Sequence, residues 1–361
     1  MKILYISPEH ISGTLPLFCK GHRDRGNYAR YVTMFPTRFN FPEDMIMNLP
    51  LHPDKGWIIK GRTFLQKLRG IEPEAHQPVG NPPFWEPGGF VGSTFFRTRD
   101  YLIKNLVHKY MDNYKLWDYD IYHYEQGLDF LRDSSIAEKL KSNGKHIVCF
   151  YHGNDVRNRG VIKKIHELSD LNLTSELDLL EKYPGLKYLF LPIDTNEVVP
   201  VPHENKKVKI AHATRSRFNK GSDHIIETVK RLEQKYPVEL VLMENVPHNE
   251  VMEIKSKCDI YIDQIADKGG WGYGMSSVES LAQGIATCTY LNEKYLEFIP
   301  GHGFINVNYD NLEKELVKLI NDNAYRCEIA LKGREWVVKV HDIKVVMDSL
   351  YNYYKEAGII H

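Results

Sequence analysis

The sequence predicts an α/β protein made of two parallel-sheet domains, and three observations carry that reading. Short apolar strand signals alternate with helical periodicity in both halves of the chain, which implies parallel sheets joined by right-handed crossovers. The chain has 361 residues, more than a single core usually supports, so two domains are expected. A polar, proline-containing stretch after Pro192-Ile193-Asp194 runs to Lys206, and the alternation restarts at Val208. The expected division is 1–195, 196–340 and a C-terminal helix, 341–361, packing back on the first domain.

In the first half, Lys2–Ser7 reads as a buried strand and Leu15–Met34 as a helix with a broken start. Residues 71–95, IEPEAHQPVGNPPFWEPGGFVGSTF, are too rich in proline and glycine for regular structure and read as an insertion. Its Phe84, Trp85 and Phe90 either pack down locally, the preferred reading, or line a ligand groove. Arg99–Trp117 is helical in period, Asp120–Tyr124 a strand, Asp133–Asn143 a helix and His146–Tyr151 a buried strand. Leu177–Tyr183 is helical and Tyr188–Leu191 a strand. The second half reads as strand Val208–Ala213, helix Ser222–Lys235, strand Glu239–Met243 and helix His248–Lys257. Helices Leu312–Ile320, Asn323–Val340 and Val345–Glu356 close the chain.

Composition narrows the function classes. Basic and acidic side chains balance at 47 each, so nothing global points to a nucleic-acid partner. Five cysteines, odd in number and without CxxC spacing, suit reduced thiols in a cytoplasmic setting rather than disulfides or zinc. MKILYISPEH is broken by Pro8 and too brief for a signal-peptide core. No apolar run approaches the roughly 20 residues needed to cross a bilayer. The expectation is a soluble protein with at most a peripheral contact on the inner membrane face. Residues 55–70, KGWIIKGRTFLQKLRG, offer two readings: a surface helix packing on its own domain, which is preferred, or a basic amphipathic stretch at an anionic bilayer.

The most informative stretch runs from Cys258 to Tyr290. It reads as strand Asp259–Gln264, a turn with Gly269, Gly270, Gly272 and Gly274, helix Ser276–Gln283, a stop at Gly284, and strand Ile285–Leu291. Ser276 and Ser277 are good helix-capping residues. The glycines leave the preceding backbone free to approach a ligand. Free N–H groups and the positive end of the helix dipole favour a phosphate there. Glu279, in the first turn, is placed to accept hydrogen bonds from ribose hydroxyls. On the residues alone, a nucleotide diphosphate site and an ordinary strand–turn–helix remain equally open.

This stretch resembles the donor-site signature of glycosyltransferase family 4, in which a strand, a Glu, a Gly, a second Glu and an Ala-x-Gly segment follow in order. Glu279 falls on the second Glu, Gly274 on the glycine, and Ala282-Gln283-Gly284 on the last segment. The first Glu falls on Trp271, a departure in the residue the family uses to contact the transferred sugar. Some branches that this chain resembles carry Asp-Gln, here Asp263-Gln264, and also lack that Glu. The resemblance implies a GT-B fold, two Rossmann-like domains facing across a cleft. It also implies retaining transfer from a nucleotide diphosphate sugar, of UDP or GDP type, to a hydroxyl acceptor such as a glycan or glycolipid. Neither a metal nor another cofactor is implied.

Other segments take roles from the same resemblance. In HATRSRFNKGSDHI, Arg215, Lys220 and Gly221 match the family's diphosphate-contacting segment, with Arg217 a substitute. Basic residues at that helix start are electrostatically misplaced unless an anion offsets them. His152 in YHGNDVR matches a histidine near the sugar–acceptor junction, where it would donate a hydrogen bond rather than act as a base. Gly13 and Thr14 in PEHISGTLPL fall on a glycine-bearing loop near the diphosphate. Asn245 and Val246 in MENVPH are placed to bracket the base through backbone atoms. The donor set is completed by Trp271, Gly274, Met275, Ser276, Ser277 and Glu279. Asp118-Tyr119-Asp120 has the letters of a metal motif but reads as structural. Trp271 keeps a second hypothesis open, a non-catalytic nucleotide-sugar-binding subunit. A nicotinamide oxidoreductase is disfavoured, since Pro8–Gly13 holds one glycine where a dinucleotide fingerprint needs three.

Overall fold

A computed structural model describes the chain except residues 11, 38, 39, 51–83, 86–88, 154 and 184, and the side chains of 89–91 and 158. The amphipathic segment 55–70 and most of the insertion 71–95 lie outside the described residues. The chain divides into two compact units, Met1–Tyr188 with Asn352–His361, and Leu189–Tyr351. No helix among the described residues is long and apolar enough to cross a membrane.

The first unit is built on a seven-stranded sheet ordered β3-β2-β1-β4-β5-β6-β7. Its strands are β1 (Lys2–Ser7), β2 (Tyr28–Thr33), β3 (Met45–Ile46), β4 (Ile121–Glu125), β5 (His146–Tyr151), β6 (Leu171–Thr174) and β7 (Lys187–Tyr188). Every pairing is parallel. Helices cover the sheet, which explains why β1 and β5 read as almost continuous apolar runs. The second unit carries a five-stranded parallel sheet ordered β12-β11-β10-β8-β9. Its strands are β8 (Val208–Thr214), β9 (Val238–Glu244), β10 (Ile260–Ile262), β11 (Ala286–Thr289) and β12 (Ile305–Asn306).

The structure corrects several expectations. Leu15–Met34 is not one helix: the helix stops at Arg23, Gly26 turns the chain at φ +75°, and YARYVT continues as β2. The aromatic and β-branched content of that segment suits a buried strand better than a helix end. The insertion is shorter than expected, because one helix runs from Gly89 to Asn113 and absorbs its last residues. Phe84 bridges to Val161 and stays exposed, while Trp85 packs against the first unit's core.

Residues that follow the second unit in the chain close the first unit's core. Tyr354 is hydrogen-bonded to His123 of β4, whose ring stacks on Tyr5 of β1 at 4.3 Å. The Tyr5 hydroxyl meets His22 Nε2 at 2.9 Å. Burial pushes His22 down to about 3 and lowers His123 as well, so both rings are neutral near pH 7.

In the second unit, Gly333 of helix Asn323–Val340 packs against Leu281 of helix Met275–Ala282 and against Gly303, in the chain before β12. A Cβ on Gly303 would stand 2.2 Å from the Gly333 Cα, and one on Gly333 would stand 2.5 Å from Leu281 Cδ2. Backbone against backbone leaves no side chain that can swing away. Gly303→Ala should therefore destabilise the second unit by roughly 1–3 kcal/mol or more. Denaturant unfolding checks this, and an unchanged midpoint would mean that the packing yields at no cost.

Candidate functional site

A parallel sheet presents the ends of its strands, and the loops that follow them, along one edge, where α/β folds bind ligands. In the second unit the register pairs Thr214 with Glu244 and Ile262 with His212. The loops after β8, β9 and β10 therefore leave together. They carry Arg215 and Lys220, then Asn245 and Val246, then Asp263 and the glycine-rich turn. Arg215 is exposed, Asn245 is exposed with φ +55°, and Val246 is half-buried.

Asp263 organises this edge. It is fully buried and ion-paired with Lys220. Its second oxygen accepts the Ser277 hydroxyl at 2.6 Å and the Gly274 N–H at 3.4 Å. Burial alone would raise the carboxyl, but the Lys220 ammonium, with the hydrogen bonds, overrides it and holds the group below its ordinary value. Lys220 ends a short helix, Arg217–Lys220, whose cap Ser216 accepts the Asn219 N–H. Gly221 follows at φ +70°, where a Cβ would meet Ile265 at 2.5 Å. Only glycine lets the helix end press onto the β10 loop in this way.

The turn before helix Met275–Ala282 is tied down. Gln264 Nε2 donates to the Gly272 carbonyl at 2.6 Å, and the Gly272 N–H donates to Asp267 at 3.2 Å. A Cβ on Gly272, at φ +77°, would stand 2.3 Å from the Tyr295 ring. Trp271 is half-buried with the Lys294 ammonium 5.4 Å from its ring centroid. The helix is capped by Gly274 in an extended conformation without a side-chain cap, so Ser276 and Ser277 are not its caps. Ser277 is drawn to Asp263 instead, and Ser276 Oγ meets the Tyr261 hydroxyl at 2.7 Å.

Glu279 sits one turn further in and is buried. His248 Nε2 lies 2.6 Å from one carboxylate oxygen, and Lys255 Nζ lies 3.0 Å from the other. Lys255 itself is 0% exposed; it also donates to the Ser276 carbonyl at 3.0 Å and stands 5.0 Å from the Tyr261 ring centroid. Burial would raise Glu279, but Lys255 and His248 hold it below its ordinary value. The expected open carboxylate in the first turn is thus a neutralised one at the fifth position. Each oxygen keeps a second acceptor direction for a ligand hydroxyl. Arg217 is also engaged: two bonds of 2.7 Å tie it to Glu244 and one of 3.0 Å to Asp223 at the surface.

In the first unit, His152 follows β5 and is hydrogen-bonded through Nε2 to Glu125, the last residue of the adjacent β4. Its backbone N–H donates to Asp155 at 2.9 Å. Burial opposes a charge on the ring, yet Glu125, aided by Asp155 and Glu176, outweighs it and raises the pKa. Gly153, at φ +85°, gives way to Arg157, which is bound to Asp178 at 2.8 Å and Glu176 at 2.7 Å. Gly13 turns at φ +73° against Phe41, and Thr14 is buried with its hydroxyl 2.8 Å from Ser12 Oγ. Asp120 accepts the Lys2 N–H at 2.8 Å, in keeping with a structural role for Asp118-Tyr119-Asp120.

Sequence reasoning assigned no role to Glu125, His248 or Lys255. One signal for Lys255 was available: it lies four residues after Val251 and three before Cys258, on the apolar stripe of its helix, where a lysine needs a buried partner.

No protein-family model matches the chain, and no curated protein matches it. Solved structures match along almost its whole length. Anabaena HepE in complex with UDP-glucose aligns at TM-score 0.55 and 13% identity, over 99% of this chain and 100% of that one. Sucrose-phosphate synthase from Thermosynechococcus elongatus aligns at 0.56 and 12%, over 99% and 100%. TarM aligns at 0.58 and 10%, over 98% and 99%. The two parallel-sheet α/β domains have the GT-B fold of these structures.

The buried pairs can be tested without a ligand. Lys255→Met strands the Glu279 charge with His248 alone and should destabilise the second unit by about 3–5 kcal/mol, part of which Glu279→Gln in the same chain restores. Chemical unfolding of the single and double variants measures both. Asp263 and Glu279 have folded pKa values below their ordinary 3.8 and 4.5. Their contribution is therefore complete above those ordinary values and is lost as pH falls through the lower folded ones. Unfolding free energy should drop between about pH 5 and about pH 2, and less steeply in Asp263→Asn.

Proposed function

We propose that the chain is a retaining, metal-independent glycosyltransferase that moves a sugar from a UDP- or GDP-type donor to a hydroxyl acceptor. The observation that carries the proposal is the Asp263 carboxylate. It fixes a cation, Lys220, and the start of a helix, through Gly274 and Ser277, at the strand ends of a GT-B domain. An ammonium has three donors, so the Asp263 pair leaves others for a diphosphate. HepE, of the same fold, is a structure solved with UDP and with UDP-glucose, which supports a nucleotide-sugar donor here.

In this reading the second unit holds the donor. Arg215 and Lys220 meet the charge that grows on the leaving diphosphate, a transition-state effect. Asn245 and Val246 take the base, and Glu279 takes ribose hydroxyls with the acceptor directions that His248 and Lys255 leave open. Trp271, Gly274, Met275, Ser276 and Ser277 frame the diphosphate and sugar. His152 donates to a sugar hydroxyl or phosphate; its raised pKa favours the imidazolium, in which both nitrogens donate. Gly13 and Thr14 supply close backbone approach. Cysteines that are free throughout support a cytoplasmic setting. Residues 55–70 provide a basic amphipathic stretch suited to the inner membrane face for a lipid-linked acceptor. Trp271 in place of the first Glu favours a second reading, a nucleotide-sugar-binding subunit without turnover.

A panel of UDP- and GDP-sugars decides the matter, with binding read by calorimetry, turnover by nucleotide release, and product anomer by NMR. Retained configuration and activity in EDTA are expected. Binding without turnover would select the second reading, and no binding by any donor would overturn both. Lys220→Ala should lower kcat roughly a hundredfold with a smaller rise in KM. Glu279→Gln should weaken UDP or GDP binding by roughly 1–3 kcal/mol.

A further inference from the structure

Two half-buried arginines of the first unit, Arg132 and Arg159, each keep a guanidinium nitrogen that is buried without a hydrogen-bond partner. The Arg132 guanidinium stands 5.1 Å from the ring centroids of both Trp85 and Phe96. Among the described residues its side chain makes no hydrogen bond and no ion pair, and its Nη1 is buried without a partner. Arg159 binds the Gln126 carbonyl through Nη2 and the Gly160 carbonyl through Nε at 3.1 Å, while its Nη1 is also buried and unpartnered. The carboxylates that bear on the two are already engaged. Asp100 takes Arg99 at 3.0 Å and the Asp133 N–H at 3.1 Å. Asp155 takes the His152 and Val156 N–H groups at 2.9 and 2.8 Å.

The surroundings tie the two arginines to one region. The Trp85 N–H donates to the Val161 carbonyl at 2.8 Å, two residues beyond Arg159. The carbonyl that Arg159 holds belongs to Gln126, which follows Glu125, the partner of His152. The hydroxyls of Tyr151, Ser134 and Ser135, on the flanking segments, are buried and unpartnered too. Burial, with the charges of Arg159 and Arg99, lowers Arg132 to about 9, and burial lowers Arg159 as well. Cation–π contact offsets only part of such a desolvation penalty. A guanidinium nitrogen buried without an acceptor, on each of two neighbouring arginines, suits the terminal oxygens of an oxyanion.

We propose that Arg132 and Arg159 form a binding site for a phosphate-class oxyanion in the first unit. Two guanidiniums with spare donors suit a tetrahedral anion with several terminal oxygens. Deepening the transferase reading, and resting on it in this one respect, the anion is a phosphate group carried by the acceptor.

The first test uses inorganic phosphate and thermal unfolding of the full chain, with sodium chloride at matched ionic strength as control. Phosphate should raise the unfolding midpoint of the wild type and of Lys220→Ala, and chloride should not. Arg132→Gln and Arg159→Gln should lose at least about tenfold in phosphate affinity. In phosphate-free buffer Arg132→Gln should unfold no earlier than the wild type, because it removes an unpaired buried charge. Arg132→Lys should keep part of the response. A phosphate response that survives both glutamine variants, or is absent from the wild type, overturns the site. So does a phosphate-free Arg132→Gln chain that unfolds earlier or fails to fold, since the guanidinium is then structural. The second test compares a simple alcohol with its phosphate monoester as acceptors. Preference for the ester, lost in Arg159→Gln, places the anion on the acceptor. Phosphate binding without any transfer would keep the site as one for free phosphate and count against the transferase reading alone.

Discussion

The ion pair between Asp263 and Lys220 sets the geometry of the second unit's strand-end edge, because this one carboxylate joins its own segment to two others. Lys220 comes from the loop after β8, Asp263 from the end of β10, and Gly274 and Ser277 from the helix that follows the glycine-rich turn. A buried carboxylate must be neutralised, so none of these partners can drift without leaving charge in a poorly polarisable surrounding. The glycines then have definite tasks. Gly221 brings the Lys220 helix close to Ile265, and Gly272 lets the turn fold against Tyr295. Helix Asn323–Val340 packs its Gly333 against Leu281 of helix Met275–Ala282 and against Gly303.

A second buried cluster, Glu279 with Lys255 and His248, involves the same helix that Ser277 ties to Asp263, and differs in character. Asp263 is turned inward and neutralised by a cation that also serves the edge. Glu279 is neutralised by a lysine with no exposure at all. Replacing such a pair with packed apolar groups is often neutral or stabilising, so stability does not by itself explain charges in these positions. They are better understood as orientation. A carboxylate gripped from one side holds its remaining acceptor directions in fixed positions.

Much of the architecture was legible in the sequence, and the failures have physical causes. The alternation of apolar strands and periodic helices sufficed for two parallel sheets, and the main strands of the second unit were located to within a few residues. β2 was misread because a helix and a strand are joined there by a short turn, and YARYVT has no clean period of its own. The two-residue strands β3 and β12 are products of tertiary pairing, too short to leave a pattern, and β7, expected at Tyr188–Leu191, pairs only at Lys187–Tyr188. At the site, the glycine turn, Lys220 and Glu279 were visible as a motif. What they touch was not. Ser277 looked like a cap because caps and carboxylate-binding serines share the same position in sequence. Lys255, His248 and Glu125 act across 24, 31 and 27 residues of chain, and pairings at that range have no local signature.

The junction of Tyr354 with His123 bears on how the chain is made. The first unit consists of Met1–Tyr188 and Asn352–His361, with the whole second unit inserted between them in sequence. Domains generally fold in order of synthesis, the earliest first. Here the earliest-made sheet leaves the ribosome with the place opposite His123 and His22 unfilled, and it stays so while 163 residues, Leu189–Tyr351, are added. The second unit, continuous in sequence, is complete before the first. Nascent chains stalled short of Tyr354 therefore carry a finished second unit and a first unit with an open core.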